Sequence, residues 1–446
     1  MPSSAMRHER AMGLDLTPPG LSAERFLSEG EPLAGGPAWL AALRQQATLR
    51  LRVEGLPAND DEGWRQTPLA ALKRFPLGGR AAAVATPASS LLRAEERAAR
   101  LVFRNGALQP AAGDMAALPA GVTLASLAEL WRAEPARLAG RLGRLSATEG
   151  LPFAQLNLSL AADGYALLID DGVRLERPVE IVFAGDGEAA WHPRVLIALG
   201  RDSTAAVLEC HVGRGAYLAN GVSELLLAAG ARLGYCRVQD EAPAALHLHA
   251  GMAELAGGAR LDSVVLSLGG GLARNEWRVR LAGEGAEVRL DEVFALRGRQ
   301  QGETISVIEH LAPHTGSAQV AKGVLDGHAR KVFQGKIAVA SGAAKAAGSQ
   351  LNKTLLLSRT AEVASKPELE INCDDVQCSH GAAVGALDED QLFYLRSRGV
   401  PLLQAQALLV DGFLDQVVET VALPTVAAAL RARIAAWLAE REGNGT

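Results

Sequence analysis

A short step of the form Gly-Ala-x-Leu or Gly-Ala-x-Val recurs through the middle of the chain. It stands at Gly215, Gly230, Gly258 and Gly285, with weaker copies at Gly316 and Gly342. Most of the later steps are roughly 26 to 31 residues apart, and short apolar runs such as VEIVF (179–183) and AAVLECHV (205–212) lie around them. A repeat on this scale predicts a solenoid, in which each repeat stacks on the next.

The repeats predict stacked strands, which makes the chain mainly β. No long helical pattern interrupts the apolar runs, which argues against a doubly wound sheet with crossover helices. A parallel β-helix fits, because its short strands stack inward-facing aliphatic side chains into ladders. Aromatic residues are only 4% of the chain, so the core has to be aliphatic. An antiparallel sandwich is the alternative, but Gly-Ala steps dominate over the few Asn-Gly and Asp-Gly hairpin signals.

The pattern of apolar residues, glycines and helix signals divides the chain into three regions. Residues 1–150 read as helix and loop, with an amphipathic helix over 38–52, a tryptophan (Trp64) that we expect to be buried, and a short strand at 101–106. Residues 151–385 form the predicted β-helix. Residues 386–446 read as a helical domain whose first helix is capped by Asp388 and ends at Gly399.

Composition and missing motifs exclude several classes of function. The net charge of −5 provides no broad attraction to nucleic acid or to an anionic membrane. The chain contains no P-loop, no H-E-x-x-H, no G-x-S-x-G and no Rossmann fingerprint in a strand–helix context, so no catalytic set supports an enzyme. Met1 to Arg10 lack the apolar core of a signal peptide, and four cysteines are too few for a disulfide framework. We therefore expect a cytoplasmic protein.

The segment INCDDVQCSHG (371–381) is richest in residues that bind metals. In an extended strand Cys378 and His380 share one face, and Cys373 lies on the other, so the two cysteines converge only if a bulge intervenes. A thiolate and an imidazole one strand step apart can hold iron or zinc, or the histidine can activate the thiol. A structural zinc site needs four ligands, so this segment offers half a site that a partner chain could complete. Packing roles for both side chains are the alternative.

Other histidines and cysteines give weaker signals. His247 and His249 alternate along one strand face, and His310 and His314 flank Pro313, so each pair is either a metal-binding pair or part of the packing. Cys210 and Cys236 lie inside apolar strands and are expected in the core.

The stretch KPELEINCDDVQCSHGAAVGALDEDQLFYLRSRGV (366–400) closely resembles the C-terminal signature of the SufB/SufD family, and its D-D-V-x-C-S-H-G element is similar to the SufD branch. GLPANDDEGWRQTPL (55–69), RNEWRVRLAGEGAEVRL (274–290) and SQLNKTLLLS (349–358) resemble the family as well. The likeness extends over nearly the whole chain beyond about residue 30. It implies a right-handed parallel β-helix between an N-terminal helical region and a C-terminal helical domain.

The resemblance also implies a function and partners. Such a chain is a scaffold subunit of iron–sulfur cluster assembly that pairs with SufB through the β-helices and docks the ATPase SufC on its C-terminal helices. His380 corresponds to the family histidine near the SufB interface, where a transient Fe–S cluster forms, and Cys378 corresponds to the motif cysteine. The predicted ATPase-docking residues are Phe393, Tyr394, Arg396, Ser397 and Arg398.

The resemblance leaves several points open. The role of Cys373, the presence of a flavin in the complex, and homodimer formation by the isolated chain are undecided. A SufB-type paralogue that carries the main sulfur-accepting cysteine is one alternative, and a β-helical carbohydrate-active enzyme is a more remote one. The four tyrosines and six tryptophans are few for a sugar-binding groove.

Overall fold

The fold consists of two long β-sheets that face each other across an aliphatic core. The computed structural model describes residues 21–29, 36–75, 89–115, 118–146 and 151–443, so Met1 to Arg10 lie outside the described residues. Sheet 1 consists of β1 (Ala99–Arg104), β2 (Ala107–Leu108), β5 (Val179–Gly187), β8 (Thr204–Gly215), β10 (Arg232–Glu241), β12 (Arg260–Ser267), β14 (Glu287–Leu296), β16 (Gly316–Leu325), β18 (Ala346–Leu356) and β20 (Val376–Gly385). Sheet 2 consists of β3 (Val122–Ser126), β4 (Gly164–Ile169), β7 (Arg194–Leu199), β9 (Leu218–Leu227), β11 (Leu246–Leu255), β13 (Leu272–Leu281), β15 (Gln301–His310), β17 (Arg330–Val339) and β19 (Glu362–Ile371), and β6 (Ala190–Trp191) pairs with β9.

The chain alternates between the two sheets, and each strand lies parallel to the equivalent strand of the coil before it. β1 with β2 and β3 with β4 are the antiparallel pairs among the described strands. In sheet 1 the register aligns residues 204, 232, 260, 287, 316 and 347, which are 27 to 31 residues apart. The solenoid has about eight turns. The predicted parallel β-helix and its repeat length are therefore confirmed.

Aliphatic ladders fill much of the space between the sheets. Val179 and Ile181 of sheet 1 pack in the same buried cluster as Leu225 and Leu227 of sheet 2. Alternate side chains of each strand point inward, so a regular repeat places similar residues above one another. Left-handed glycines such as Gly258 (φ +64°) stand at the turns between coils. The Gly-Ala steps at Gly230, Gly258 and Gly285 thus mark corners of the solenoid, where a positive φ favours glycine.

Helices and short 3₁₀ turns occupy the N-terminal region. The helices are α1 (Ala23–Glu29), α2 (Ala38–Glu54), α3 (Leu69–Arg74), α4 (Leu127–Ala133) and α5 (Pro152–Leu160), and the 3₁₀ turns are Glu62–Trp64, Ala94–Glu96, Pro110–Ala112 and Pro135–Arg137. The predicted helix over 38–52 and the strand near 101–106 are present as α2 and β1. Trp64 is buried against Phe153, with ring centroids 5.3 Å apart. Strands β1 to β3 already extend the two sheets within residues 1–150, and the three-region division remains a prediction.

A buried ion pair fixes part of this region to the solenoid. The Glu224 carboxylate accepts hydrogen bonds from the backbone N–H groups of Gly143, Leu145 and Ser146 at 2.7, 2.8 and 3.0 Å. Arg194 donates to the same carboxylate at 2.7 Å, and both side chains are almost wholly excluded from solvent. The carboxylate thus has multiple partners, which a buried charge requires.

Three helices follow the solenoid, and the second and third of them pack on the outer face of sheet 1. They are α6 (Glu389–Ser397), α7 (Leu402–Val418) and α8 (Pro424–Gly443). Val410, Leu414 and Val417 of α7 share a buried cluster with Cys210 and Cys236, so these two cysteines are buried as predicted, beneath the C-terminal helices. None of the described helices is both long and apolar enough to cross a membrane.

Candidate functional site at the last coil

The last coil of the solenoid differs from the coils before it in its exposure. β19 and β20 are the outermost strands of sheets 2 and 1 in the described chain, and most of their residues are exposed or half-buried. The strands of the middle coils are mostly buried on both faces. The last coil therefore presents two unpaired strand edges and an uncovered cross-section of the solenoid.

The two edges have different chemistry. β19 carries the charged residues Lys366, Glu368 and Glu370, together with Pro367. Charged side chains and proline on an edge strand hinder its pairing with another strand. Lys366 forms ion pairs with Glu62 at 2.6 Å and with Glu368 at 3.1 Å. β20 has the sequence VQCSHGAAVG, which contains no proline and no acidic residue, lysine or arginine. The edge of β20 thus lacks the features that protect β19 from pairing with another strand.

His380 lies in the middle of β20 at the end of an inward-facing row. The register places it beside Gln350 of β18, which in turn lies beside Gln319 of β16. Both glutamines are buried, whereas His380 is exposed because no further coil covers it. Within the described residues, no hydrogen-bond or ion-pair partner is found for its imidazole. Its ring nitrogens are therefore available to a ligand.

Cys378 lies one strand step before His380 and is half-buried. It lies beside Gly348 in the register and packs against the apolar cluster that contains Ile337 and Ala346. A Cβ added at Gly348 would lie only 3.0 Å from Ile337, so this position has no room for a larger neighbour. Partial burial raises the pKa of the Cys378 thiol, and a hydrogen bond with the Gly348 backbone offsets part of that rise. The thiol is thus predominantly protonated at neutral pH in the isolated chain.

The expectation that Cys373 and Cys378 lie on opposite faces is wrong. It assumed one continuous strand, but β19 ends at Ile371 and β20 begins at Val376, so a turn separates the two cysteines. Both side chains pack against the same apolar cluster at the end of the solenoid. Alternation along a strand cannot be extended through a turn.

The predicted docking residues cluster on α6 and just after it. Phe393, Tyr394, Arg396, Ser397 and Arg398 are all exposed. Phe393 is 74% exposed and Tyr394 58%, and α6 buries none of its residues. Asp388 caps the helix by accepting hydrogen bonds from two backbone N–H groups at 3.0 Å, as predicted. The structure thus presents an ordered helix that contacts the rest of the chain mainly through α7.

Three large apolar residues of α7 are exposed as well. Leu402, Leu403 and Leu408 are 43%, 38% and 51% exposed. We call these three leucines, together with Phe393 and Tyr394 of α6, the α6–α7 patch. Such a concentration of exposed large apolar side chains is typical of a protein–protein contact.

The remaining predicted residues lie inside the solenoid or at its turns. His247, His249 and His310 are buried, and His314 is exposed in a turn with a positive φ. His310 is hydrogen-bonded by Thr315 at 2.8 Å and Ser317 at 2.9 Å, and the structure does not join it to His314 in a ligand set. Burial raises the pKa of the Cys236 thiol to about 12 and also raises the pKa of the Cys210 thiol well above its ordinary value, so neither is a reactive thiolate.

Sequence reasoning missed one group of side chains in the interior. His211 and Glu241 lie close to His247 in the structure. In the sequence, His211 is 30 residues before Glu241, and Glu241 is 6 residues before His247. Their inward direction follows from strand alternation, since Glu209 with His211, Gln239 with Glu241, and His247 with His249 are each two residues apart. That spacing was visible in the sequence, but the corner that brings the three rows together was not.

The fold and its last coil define a class of protein: a β-solenoid with an unprotected strand edge, two potential metal ligands on that edge, and an exposed helical patch. Comparison with known proteins agrees with this class. Residues 34–181 match the SufBD protein N-terminal region, and residues 182–413 match the SufBD core domain of SUF system FeS cluster assembly.

Individual relatives cover most of the chain. The iron–sulfur cluster assembly protein SufD of Escherichia coli is 30% identical over 84% of this chain and 88% of its own length. An iron–sulfur cluster assembly SufBD family protein of Synechocystis is 29% identical over 87% of this chain and 89% of its own length. SufD of Bacillus subtilis is 28% identical over 59% of this chain and 61% of its own length. The chain belongs to the SufBD family of iron–sulfur cluster assembly proteins and is a SufD homologue.

Proposed function

We propose that this chain is a scaffold subunit of the SufD type, which pairs with a SufB-type subunit and docks the SufC ATPase during the assembly of iron–sulfur clusters. It contributes ligands and surfaces, and the ATPase activity resides in SufC. The observation that carries this proposal is the exposed imidazole of His380 on the unprotected edge of β20, for which the described part of the chain provides no partner.

The edge of β20 supports the pairing with SufB. An uncharged strand with small side chains can accept a strand of another chain, because no described strand of this chain pairs with its outer N–H and C=O groups. Such pairing would place the partner directly beside His380 and Cys378. If the partner is a second β-solenoid with a similar last coil, its edge strand would pair with β20, and the unpaired backbone groups of both strands would be hydrogen-bonded.

The α6–α7 patch supports the docking of SufC. Its α7 residues stand on a helix that packs on sheet 1, and α6 contacts that helix, so a partner bound there would transmit motion to the solenoid through α7. Arg396 and Arg398 flank the patch, and arginine with aromatic residues is the composition enriched in interface centres.

His380 supplies the imidazole ligand of a transient Fe–S cluster at the subunit interface, and Cys378 is the weaker second candidate. Imidazole and thiolate are both ligands of iron in Fe–S clusters. Two ligands are fewer than a cluster needs, so the partner chain has to provide the others. Ligation by Cys378 would require the loss of its thiol proton, which the partner or the iron would promote.

The test is co-expression with SufB and SufC, anaerobic purification of the complex, and measurement of iron and acid-labile sulfide. His380→Ala should lower both contents at least tenfold while the three subunits still co-purify. His328→Ala is the matched control, because His328 is also exposed but lies in the turn before β17. An unchanged cluster content in His380→Ala would remove the proposal for this residue.

The SufB-type alternative makes a different prediction. A SufB-type chain would take sulfur directly from a cysteine desulfurase when it is alone. Two relatives that match this chain are named SufD, which favours the first proposal. Radiolabelled sulfur from the desulfurase should therefore appear on the SufB partner and not on this chain.

A further inference from the structure

Three buried side chains meet at a corner inside the solenoid, far along the chain from the last coil. His211 lies on β8, Glu241 is the last residue of β10, and His247 is the second residue of β11. Their exposed fractions are 2%, 5% and 0%. One ligand atom from each lies within 4.8 Å of the others.

His247 has an unusual environment for a buried histidine. Its Nδ1 lies 3.0 Å from Oε2 of Glu241, but neither ring nitrogen has a hydrogen-bond partner of acceptable direction among the described residues. A buried polar group without a partner destabilises the folded chain. A metal ion placed between the carboxylate and the ring would bind both groups. Two ligand atoms bound to the same metal ion lie at a distance similar to that between Nδ1 and Oε2 here.

The surrounding groups orient the other two side chains. Oε1 of Glu209 lies 2.6 Å from Nε2 of His211. An ionised carboxylate only accepts hydrogen bonds, so Nε2 carries the proton and Nδ1 of a neutral ring keeps its lone pair. A carboxylate behind a histidine is the usual support of a metal-binding imidazole. Gln239 donates to Oε2 of Glu241 at 2.8 Å and so fixes the carboxylate.

We propose that His211, Glu241 and His247 form a binding site for a divalent first-row metal ion, zinc or ferrous iron, inside the solenoid. Two imidazoles and one carboxylate are a ligand set that binds these metals and leaves further coordination positions open. Ligand atoms around a tetrahedral zinc ion are about 3.3 Å apart, so binding draws the most distant pair together.

The electrostatics of the corner favour a cation. Glu209 and Glu241 contribute two carboxylates, and Arg237 is the cationic side chain whose charge acts on this cluster. Arg237 donates to Oδ1 of Asn275 at 2.5 Å, which is a neutral acceptor, so its charge remains and offsets one of the two carboxylates. With neutral imidazoles, the corner carries excess negative charge that a divalent ion would balance. The inference does not depend on the proposed cluster site at His380.

The test is metal analysis of the full chain, expressed alone in zinc-supplemented and in iron-supplemented medium, so that the ion can enter during folding. After gel filtration, elemental analysis should find about one zinc or iron ion per chain. Glu241→Gln and His247→Gln should each lower this content at least tenfold. His310→Gln is the matched control, since His310 is equally buried in the same solenoid but hydrogen-bonded on both nitrogens.

Cobalt(II) provides a second readout. The wild-type chain expressed with cobalt should show the visible absorption of four- or five-coordinate cobalt, and X-ray absorption should show nitrogen and oxygen ligands without sulfur. Circular dichroism checks that each variant is folded. If a variant is not folded, the cobalt absorption and X-ray absorption spectra of the wild-type chain test the proposed ligands without it. Substoichiometric metal in the wild-type chain under both loading conditions, or equal metal in wild type and Glu241→Gln, would overturn the proposal.

Discussion

Phe393 provides a quantitative test of the proposed ATPase-docking surface. Its side chain is 74% exposed in the isolated chain. A fully buried phenylalanine removes roughly 200 Å² from water, so docking could bury about 150 Å² more of this side chain. At about 25 cal/mol per Å² this corresponds to an upper limit of ~4 kcal/mol. Truncations at interface centres commonly cost less than such limits, and we expect about 2–3 kcal/mol for Phe393→Ala.

The assay is isothermal titration of the isolated chain with SufC. A loss of about 2–3 kcal/mol corresponds to a Kd roughly 30- to 150-fold weaker. The free energy of unfolding of the isolated variant should change by less than about 0.5 kcal/mol, because the side chain has few contacts to lose. Val53→Ala is the control, since Val53 is 85% exposed but lies on α2. A Kd changed less than twofold by Phe393→Ala would refute the assignment of the α6–α7 patch.

Further predictions concern the anchor of the N-terminal region, the edge of β20 and the response to acid. Glu224→Gln removes the charge that neutralises buried Arg194, so urea unfolding should show a free energy of unfolding lower by about 3–5 kcal/mol. The control is Glu287→Gln in an exposed ion pair, which should lower the free energy of unfolding by less than about 1 kcal/mol. Val384→Lys adds a charge to the edge of β20 and should weaken SufB binding at least tenfold in a pull-down titration, whereas Leu49→Lys on α2 should not. Burial lowers the pKa of His310 to about 4, below the ordinary value of 6.5, so the unfolded chain binds more protons between these values and stability falls as pH drops. This histidine alone should account for ~2 kcal/mol of the decrease in the free energy of unfolding between pH 7.5 and 5.0. Urea unfolding of His310→Gln at the two pH values should show a decrease that is smaller by this amount.

The sequence predicted the solenoid because one repeat controls its architecture. The Gly-Ala steps at Gly230, Gly258 and Gly285 mark turns with positive φ, and the apolar runs between them become stacked strands. The same pattern did not predict that β1 and β3 extend the sheets, because these strands lie before the repeat begins. Short strands without a repeat have only local signals, which helical neighbours obscure.

The candidate sites show the same division between local and long-range information. The pairing of Cys378 with His380 on one strand follows from their spacing, and the exposure of both α6 aromatics agrees with the predicted docking region. The position of Cys373 depended on a turn that alternation could not predict. The contact between His211 and His247 depends on the register of neighbouring coils and on the shape of a corner, so it required the three-dimensional structure.

The proposed role of His380 as a cluster ligand can be tested directly by electron paramagnetic resonance. The complex is assembled from ¹⁵N-labelled chain and unlabelled SufB and SufC, loaded anaerobically with iron and sulfide, and reduced to a paramagnetic cluster. Pulsed spectra should show ¹⁵N hyperfine coupling of a directly bound imidazole, and the coupling should disappear in His380→Ala. A cluster of normal yield that shows no nitrogen coupling from this chain would contradict the account.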